Sequence, residues 1–341
     1  MTAMPDRQSV RPFDTMAASA RIGVVIPSYR VTMHILDVIT AIGPEIANIY
    51  VVDDCCPDRS GNHVEENCID PRVQVIFRGQ NGGVGAATIT GYQAALRDGC
   101  DVVVKLDGDG QMDPRLIPRF VRPILAHRAD YTKGNRFFNL DDVRAMPRVR
   151  LYGNAALSFI TKLSTGYWTI FDPTNGYTAI HASLLPYLPL EKIAPRYFFE
   201  SDMLFRLGML RALVLDIPMT AIYADEVSHL RIGSVLLRFL AGHSRNFMKR
   251  LIYSYFLRDF SAASVELVLG LPLFSFGAIF GFAHWWENSL RGVATNSGTV
   301  MLAALPVILG MQLLLSFVGY DIAAVPRSAI HLLFASDDEA A

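Results

Sequence analysis

At 341 residues the chain has room for two domains. Its 31 basic and 32 acidic side chains leave a formal charge of −1, which excludes the cationic surplus that a nucleic-acid partner requires. A hydrophobic content of 51% and a mean hydropathy of +0.28 exclude a uniformly water-soluble composition, and the apolar surplus lies mostly after position 260.

Residues 1–20 are polar and small, without a continuous apolar core, and read as a mobile tail rather than a secretory signal. From Arg21 short apolar runs alternate with helix-like stretches. Ile22 to Ile26 is a predicted strand that ends at Pro27-Ser28-Tyr29, followed by a helix from Met33 to Ile42. Asn48 to Val52 is the next strand and closes on Asp53-Asp54; a helix over Ser60 to Cys68 and a strand over Val73 to Phe77 follow. A glycine-rich loop, Arg78 to Gly85, leads into a helix over Ala86 to Arg97 and a fourth strand beginning at Val102. Such alternation predicts a parallel sheet covered by helices, with ligands at the carboxyl ends of its strands. Four polar clusters fall at those ends: Pro27-Ser28-Tyr29, Asp53-Asp54, Asn81-Gly82-Gly83 and Asp107-Gly108-Asp109.

The last cluster carries the most chemistry. Asp107 and Asp109 are two apart after a strand, so both carboxylates can point one way, and Gly108 and Gly110 permit a tight turn. With the Gln111 amide they form a hard-oxygen set suited to Mg²⁺ or Mn²⁺, although Asp and Gly also serve ordinary turns. Asp53-Asp54 can cap the next helix or hold a ribose hydroxyl or a base edge. Gly82, Gly83 and Gly85 follow the third strand rather than the first, and Thr88 stands where a dinucleotide loop has its last glycine, so an NAD-type site is not expected. The four cysteines, Cys55, Cys56, Cys68 and Cys100, include no C-x-x-C pair, which suits a reducing, cytosolic-side setting. The histidines include no H-E-x-x-H, and a zinc site is not expected.

Taken in order, Val25-Ile26-Pro27-Ser28-Tyr29, Val51-Val52-Asp53-Asp54, Asn81-Gly82-Gly83-Val84-Gly85 and Asp107-Gly108-Asp109-Gly110-Gln111 resemble the motifs of GT-A glycosyltransferases of family 2. The nearer likeness is to the dolichol-phosphate mannosyltransferase and bacterial polyprenyl-phosphate glycosyltransferase branch. Gly134-Asn135-Arg136 stands where that branch has Gly-Ser-Arg, and Asp172-Pro173-Thr174-Asn175-Gly176-Tyr177 resembles its Asp-x-Thr-Ser-Gly-Phe segment. The resemblance covers roughly residues 21 to 230. It implies a Rossmann-like GT-A domain with a mostly parallel sheet, in which Asp107, Asp109 and Gln111 hold the metal on the donor diphosphate. One departure is plain: the family often follows Pro-x-Tyr with Asn-Glu, and here Arg30-Val31 follow.

Further along, Asp113 to His127 reads as a helix with Pro114 in its first turn, and Ala129 to Lys133 as a strand. Arg136, Arg144, Arg148 and Arg150 follow, ahead of a helix through Leu151 to Leu163; arginine suits phosphate through paired, charge-assisted hydrogen bonds, and also suits a solvated basic face. A turn over Asp172 to Gly176 leads into Tyr177 to Ile180, and Tyr197 to Arg211 reads as a helix. Near its start Glu200 or Asp202 can act as base on an acceptor hydroxyl, or simply complement the helix dipole. The Gln-x-x-Arg-Trp motif of processive family-2 synthases does not occur.

Residues 231 to 258 carry Arg231, Arg238, Arg245, Lys249, Arg250 and Arg258 among Leu236, Leu237, Leu240, Phe247, Leu251 and Tyr255. The pattern predicts a basic amphipathic helix on an anionic inner leaflet, with a surface helix packed on the domain as its rival. Val265 to Ala283 and Val300 to Tyr320 each come near the ~20 residues a bilayer helix needs. Glu266 is the one acid in the first, Trp285 and Trp286 stand at its far end, and the link from Glu287 to Thr299 is short, so the pair reads as a transmembrane hairpin. The basic residues before it place the catalytic domain in the cytoplasm, at a bacterial-type inner membrane. The expected organisation is a tail over 1–20, a GT-A domain over 21–230, juxtamembrane amphipathic helices over 231–260, transmembrane helices over 261–325 and a tail over 326–341, in which Ser336-Asp337-Asp338-Glu339 is acidic and reads as loose.

The resulting expectation is metal-dependent, inverting transfer of one sugar from a nucleotide diphosphate to a polyprenyl phosphate in the membrane. Pro27, Ser28, Tyr29, Asp53, Asp54, Gly83 and Asp107 would bind the donor. Arg136, with Arg148 or Arg150, would orient the acceptor phosphate. Asp109, Arg136 and Asp202 complete the catalytic set, and a homo-oligomer is compatible with this arrangement. Two alternatives stand beside it: transfer to a hydroxyl of a glycolipid or polysaccharide, with Asp202 as base, and a silent membrane scaffold that only binds nucleotide sugar.

Overall fold

The computed structural model describes residue 13 and residues 19–138, 148–220 and 232–338. Most of the 1–20 tail, together with Arg144 and Arg231, lies outside these residues, as do the side chains of Arg148 and Arg150. The described chain divides into two compact units, 1–246 with 326–341, and 247–325.

The first unit is built on a seven-stranded sheet of order β3-β2-β1-β4-β6-β5-β7. Its strands are β1 (Ile22–Ser28), β2 (Asn48–Asp53), β3 (Val73–Phe77), β4 (Val102–Lys105), β5 (Tyr131–Asn135), β6 (Thr178–His181) and β7 (Val214–Pro218). β1 lies between β2 and β4, parallel to both, and all seven of its residues are buried. That burial on both faces is why its sequence is an unbroken apolar run rather than an alternating one. β6 is the exception, antiparallel to both β4 and β5, while β5 and β7 are again parallel. The ladder pairs Ser28 with Asp53, Asp53 with Phe77, Lys105 with Thr178, Thr178 with Lys133, and Lys133 with Asp216. The register therefore brings the carboxyl ends of six strands and the amino end of β6 to one rim.

Helices cover both faces. They are α1 (Ile35–Thr40), α2 (Ser60–Asn67), α3 (Val84–Arg97), α4 (Ile117–Leu125), α5 (Arg148–Thr165) and α6 (Phe199–Leu210). On one face Ile22, Val24 and Ile26 join Ile35, Ile39, Ile117, Phe120 and Tyr177 in the main core. On the other, α3 crosses so closely that a Cβ on Gly91 would run into the Val25 side chain.

β7 went unread in the sequence because Val214-Leu215-Asp216-Ile217-Pro218 is short, carries an acid at its centre and ends in proline. His331–Asp338 forms a helix, and the N–H groups of Ile330 and His331 donate to the buried carboxylate of Asp130. His331 Nδ1 lies 2.7 Å from Asp130 Oδ1, and Phe334 stacks on Tyr187. These contacts dock the start of the C-terminal helix against Asp130 and Tyr187.

The helix α7 (Ile232–Ile252) occupies the expected segment. Its buried face within the first unit is Gly242, His243 and Asn246, which reach Phe198, Ser164 and Asp202 respectively. Leu237, Leu240 and Met248 are exposed. A polar buried face is invisible to a search for apolar periodicity.

In the second unit α8 (Ala262–Arg291) and α9 (Ser297–Ala323) are both long and apolar enough to cross a membrane. They contain the predicted spans and extend past them. The helices approach closely at small residues: a Cβ on Gly277 would lie 2.6 Å from the Ala303 carbonyl oxygen. Arg250, read in the sequence as part of a basic face, is instead buried and makes a two-pronged ion pair with Asp321 at 2.6 and 3.0 Å, joined by the Tyr255 hydroxyl. Glu266, the acid of the first span, accepts from Ser316 at 2.7 Å.

Candidate active site

The turn after β4 is closed on itself, with the Gln111 N–H donating to Asp109 Oδ1 at 3.0 Å and Gly110 at φ +79°. Asp107, Asp109 and Gln111 are all half-buried at the rim. Asp107 is fixed by a residue that the motif reading passed over. Lys105, only 1% exposed, places Nζ 2.8 Å from Asp107 Oδ1 and 3.4 Å from Glu200 Oε1. Burial pulls the Lys105 pKa down, but the charges of Asp107 and Glu200 outweigh it and hold the ammonium well above the usual lysine range. Gly176 closes against this pair: a Cβ there would lie 2.6 Å from both Asp107 Oδ2 and Lys105 Nζ.

Lys133 occupies the same ladder row, two strands away, and is also fully buried, donating to the Asn175 carbonyl. Burial brings its pKa down to about 8, against the opposing pull of Glu200 and Asp172. Next in the row, Asp216 is pushed up to about 6 by burial, an effect only partly offset by the Phe171 N–H and Lys133. The signal for both lysines was present in the sequence, as a single cation within each of two short, otherwise uncharged strands.

The other expected donor residues organise the rim from within. Asp53 accepts from Cys56 N–H at 2.7 Å and Gly61 N–H at 2.6 Å, which fixes the β2–α2 connection. Asp54 accepts from Gly82 and Gly83 N–H at 2.9 and 2.6 Å and pairs with Arg78, which folds the glycine loop onto the end of β2. Gly83 has φ +92°, and a Cβ there would meet Pro195 and Arg196. Pro27 is buried, and the buried Ser28 Oγ has no partner among the described residues. Tyr29 is 43% exposed, with the Arg30 guanidinium 5.5 Å from its ring centre.

Beyond the turn, Arg136 forms a fork with Asp172, Nε to Oδ2 at 2.7 Å and Nη2 to Oδ1 at 2.9 Å, while Asp172 is 1% exposed. The two motifs at Gly134-Asn135-Arg136 and Asp172 to Tyr177 thus meet as one unit. Arg148 and Arg150 begin α5. Asp202 is fully buried and accepts from the Ala194 N–H and from Asn246, with Arg206 at 3.8 Å. Of the two acids at the start of α6, Glu200 is therefore the one joined to Asp107, through Lys105.

Among the described residues no three His, Cys, Asp or Glu side chains converge on one point. A divalent ion held by one or two carboxylates and completed by substrate phosphates needs no such trio, and the hard oxygens of Asp107 and Asp109 fit that demand.

The family profile described as glycosyl transferase family 2 matches residues 24–188. A UDP-N-acetylglucosamine–dolichyl-phosphate N-acetylglucosaminyltransferase of Methanococcus voltae is 31% identical over 222 residues, 61% of this chain and 88% of the relative. The chain belongs to glycosyl transferase family 2. It is a glycosyltransferase of the dolichyl- and polyprenyl-phosphate branch, and an undecaprenyl-phosphate mannosyltransferase of Micrococcus luteus is 31% identical over 51% of this chain and 71% of its own length. Among solved structures of the GT-A fold, glucosyl-3-phosphoglycerate synthase from Mycobacterium tuberculosis, in complex with Mn²⁺, uridine diphosphate and phosphoglyceric acid, superposes with a TM-score of 0.50 at 19% identity, over 76% of this chain and 87% of that one. This family 2 chain places its strand-end motifs on one rim, as the fold requires.

Proposed function

We propose that this family 2 enzyme transfers one sugar from a nucleotide diphosphate to a membrane polyprenyl phosphate, inverting the anomeric centre. The observation that carries the reading is that the turn holding Asp107 and Asp109 follows β4 on the rim shared with the Arg136–Asp172 fork. The M. voltae and M. luteus relatives are named for dolichyl phosphate and undecaprenyl phosphate, and the M. tuberculosis structure holds Mn²⁺ with UDP, which supports both ends of the proposal.

Asp107 and Asp109 would hold Mg²⁺ or Mn²⁺, with Gln111 beside them, and the ion would offset charge on the departing diphosphate. Asp53 and Asp54 keep the β2 end and the glycine loop in place, and with Pro27, Ser28, Tyr29 and Gly83 they would form the nucleoside side of the site. Arg136, kept in one orientation by Asp172, would present N–H groups to the acceptor phosphate, with Arg148 or Arg150 adding charge. A phosphate monoester has its second pKa near ~6 and is largely ionised at pH 7, so its oxygen attacks without a general base. The complete burial of Asp202 supports this acceptor over a sugar or lipid hydroxyl, which needs an exposed base. The hairpin of α8 and α9 would anchor the chain in the inner membrane as a multi-pass protein, with the catalytic unit on the cytoplasmic side.

The test is incubation of membranes carrying the protein with polyprenyl phosphate and radiolabelled UDP-, GDP- and dTDP-sugars, with and without Mn²⁺. An organic-extractable, mild-acid-labile product from one donor, formed only with the ion, is expected. Absence of any lipid-linked product across the panel contradicts the proposal and favours the silent scaffold.

A further inference from the structure

Lys105 is buried against a carboxylate that would itself bind a cation. Lys105 lies 2.8 Å from Asp107 Oδ1 and 3.4 Å from Glu200 Oε1, and is shielded from water. Ions removed from water are retained only against close partners, so the arrangement is a built one rather than a chance surface contact. Its geometry divides the Asp107 carboxylate. Oδ1 is taken by Lys105, while Oδ2 faces Gly176, where a Cβ would lie 2.6 Å away.

We infer that Lys105 is a resident counter-cation that prevents Asp107 and Asp109 from retaining a divalent ion alone, so that ion and nucleotide diphosphate are held only together. This rests on the metal-assisted reading above and deepens it. Without Lys105, Asp107 and Glu200 lose the cation that both contact directly. With it, one of those charges is already neutralised, and a bare divalent ion meets a positive charge a few ångströms away. The diphosphate reverses the balance by adding negative charge that both the ion and the Lys105 ammonium attract. Lys105 is a positioning residue: it acts through Asp107 and makes no claim on the reacting atoms. Release of the spent diphosphate would then also release the ion, leaving the site empty rather than blocked by retained metal.

The test uses the full-length protein in detergent, with Mn²⁺ as probe and inorganic pyrophosphate in place of the unidentified nucleotide. Free Mn²⁺ is counted by electron paramagnetic resonance. Wild-type protein is expected to bind Mn²⁺ weakly alone and at least about tenfold more tightly with pyrophosphate, beyond what Mn²⁺–pyrophosphate association in buffer explains. Lys105→Met is expected to bind Mn²⁺ alone about tenfold more tightly than wild type and to lose most of the pyrophosphate enhancement, whereas Lys105→Arg keeps the wild-type pattern. A lysine with a merely structural role would not raise metal affinity when removed. Should Lys105→Met fail to fold, Glu200→Gln decides: with its second partner lost, Lys105 acts on Asp107 alone, and Mn²⁺ binding without pyrophosphate is expected to weaken further. Equal Mn²⁺ affinity in wild type and Lys105→Met, or unchanged affinity in Glu200→Gln, overturns the inference while leaving the proposed reaction intact. No Mn²⁺ bound by wild-type protein even with pyrophosphate instead overturns the metal-assisted reading itself.

Discussion

Replacing Gly176 by alanine probes the site with a single methyl group. Its Cβ would lie 2.6 Å from both Asp107 Oδ2 and Lys105 Nζ, and 3.2 Å from Met112 Cε. Ordinary contact begins near 3.4 Å, so something must retreat by about 0.8 Å (from 2.6 to 3.4 Å). Lys105 is enclosed and held by two carboxylates, so the half-exposed Asp107 side chain is the one free to move. A displacement of about 1 Å in a positioned group costs roughly a hundredfold in rate. The local crowding costs only about 1 to 3 kcal/mol of stability, a few degrees in Tm. Gly153 supplies the control. It lies exposed on α5 with nothing near its would-be Cβ, and alanine there should raise stability by about 0.5 to 1 kcal/mol without affecting turnover. Initial rates of sugar transfer to polyprenyl phosphate, paired with thermal melts, measure both. Wild-type turnover in a folded Gly176→Ala protein, or an equal loss in Gly153→Ala, would refute the placement of Asp107 at the reacting end of the donor.

Asp202→Asn should lower stability by about 1.5 to 3 kcal/mol through its lost charge-assisted hydrogen bonds, yet leave turnover per folded molecule largely intact; a stable but inactive variant would restore Asp202 as a base. Asp321→Ala removes the carboxylate that the buried Arg250 guanidinium grips and should cost about 3 to 5 kcal/mol in detergent melts, whereas Arg250→Met combined with Asp321→Leu should recover much of it; full stability of the single variant contradicts the ion pair's place in the second unit. Acidification should destabilise the first unit in a defined window. Burial holds both His181 and His243 down to about 4, so the folded chain keeps them neutral while the unfolded chain takes up protons from about pH 6.5 downward. Stability should therefore fall as pH drops from about 6.5 and this contribution should level near pH 4, by up to about 3 kcal/mol for His243, which is 2% exposed. His243→Asn should flatten the slope, and a Tm that does not change between pH 7 and pH 5 speaks against it.

The parts of the molecule legible in its sequence are those decided locally. Val102-Val103-Val104 and the run from Ile22 to Ile26 must be buried on both faces, and the glycine- and aspartate-rich stretches after them must be turns. The parts that escaped are decided by partners remote in sequence. Lys105 looks like an ordinary strand-end cation until β6 and α6 bring Gly176 and Glu200 against it. Asp202 and Glu200 are indistinguishable as helix-start acids, and only packing sends one inward to Asn246 and the other toward Asp107. Asp130 offers no motif, yet it ties down Ile330 and His331 from two hundred residues away. In α7 the apolar residues Leu237 and Leu240 are exposed while His243 and Asn246 are buried, the reverse of the pattern that hydropathy detects.

The most direct measurement sets two acceptors side by side: purified protein, Mn²⁺ and the active nucleotide sugar, offered polyprenyl phosphate in one reaction and the corresponding polyprenol in the other. Labelled lipid is expected only from the phosphate, whose ionised oxygen needs no base and whose charge the arginines would recognise. Equal transfer to the polyprenol would contradict the assignment of the acceptor.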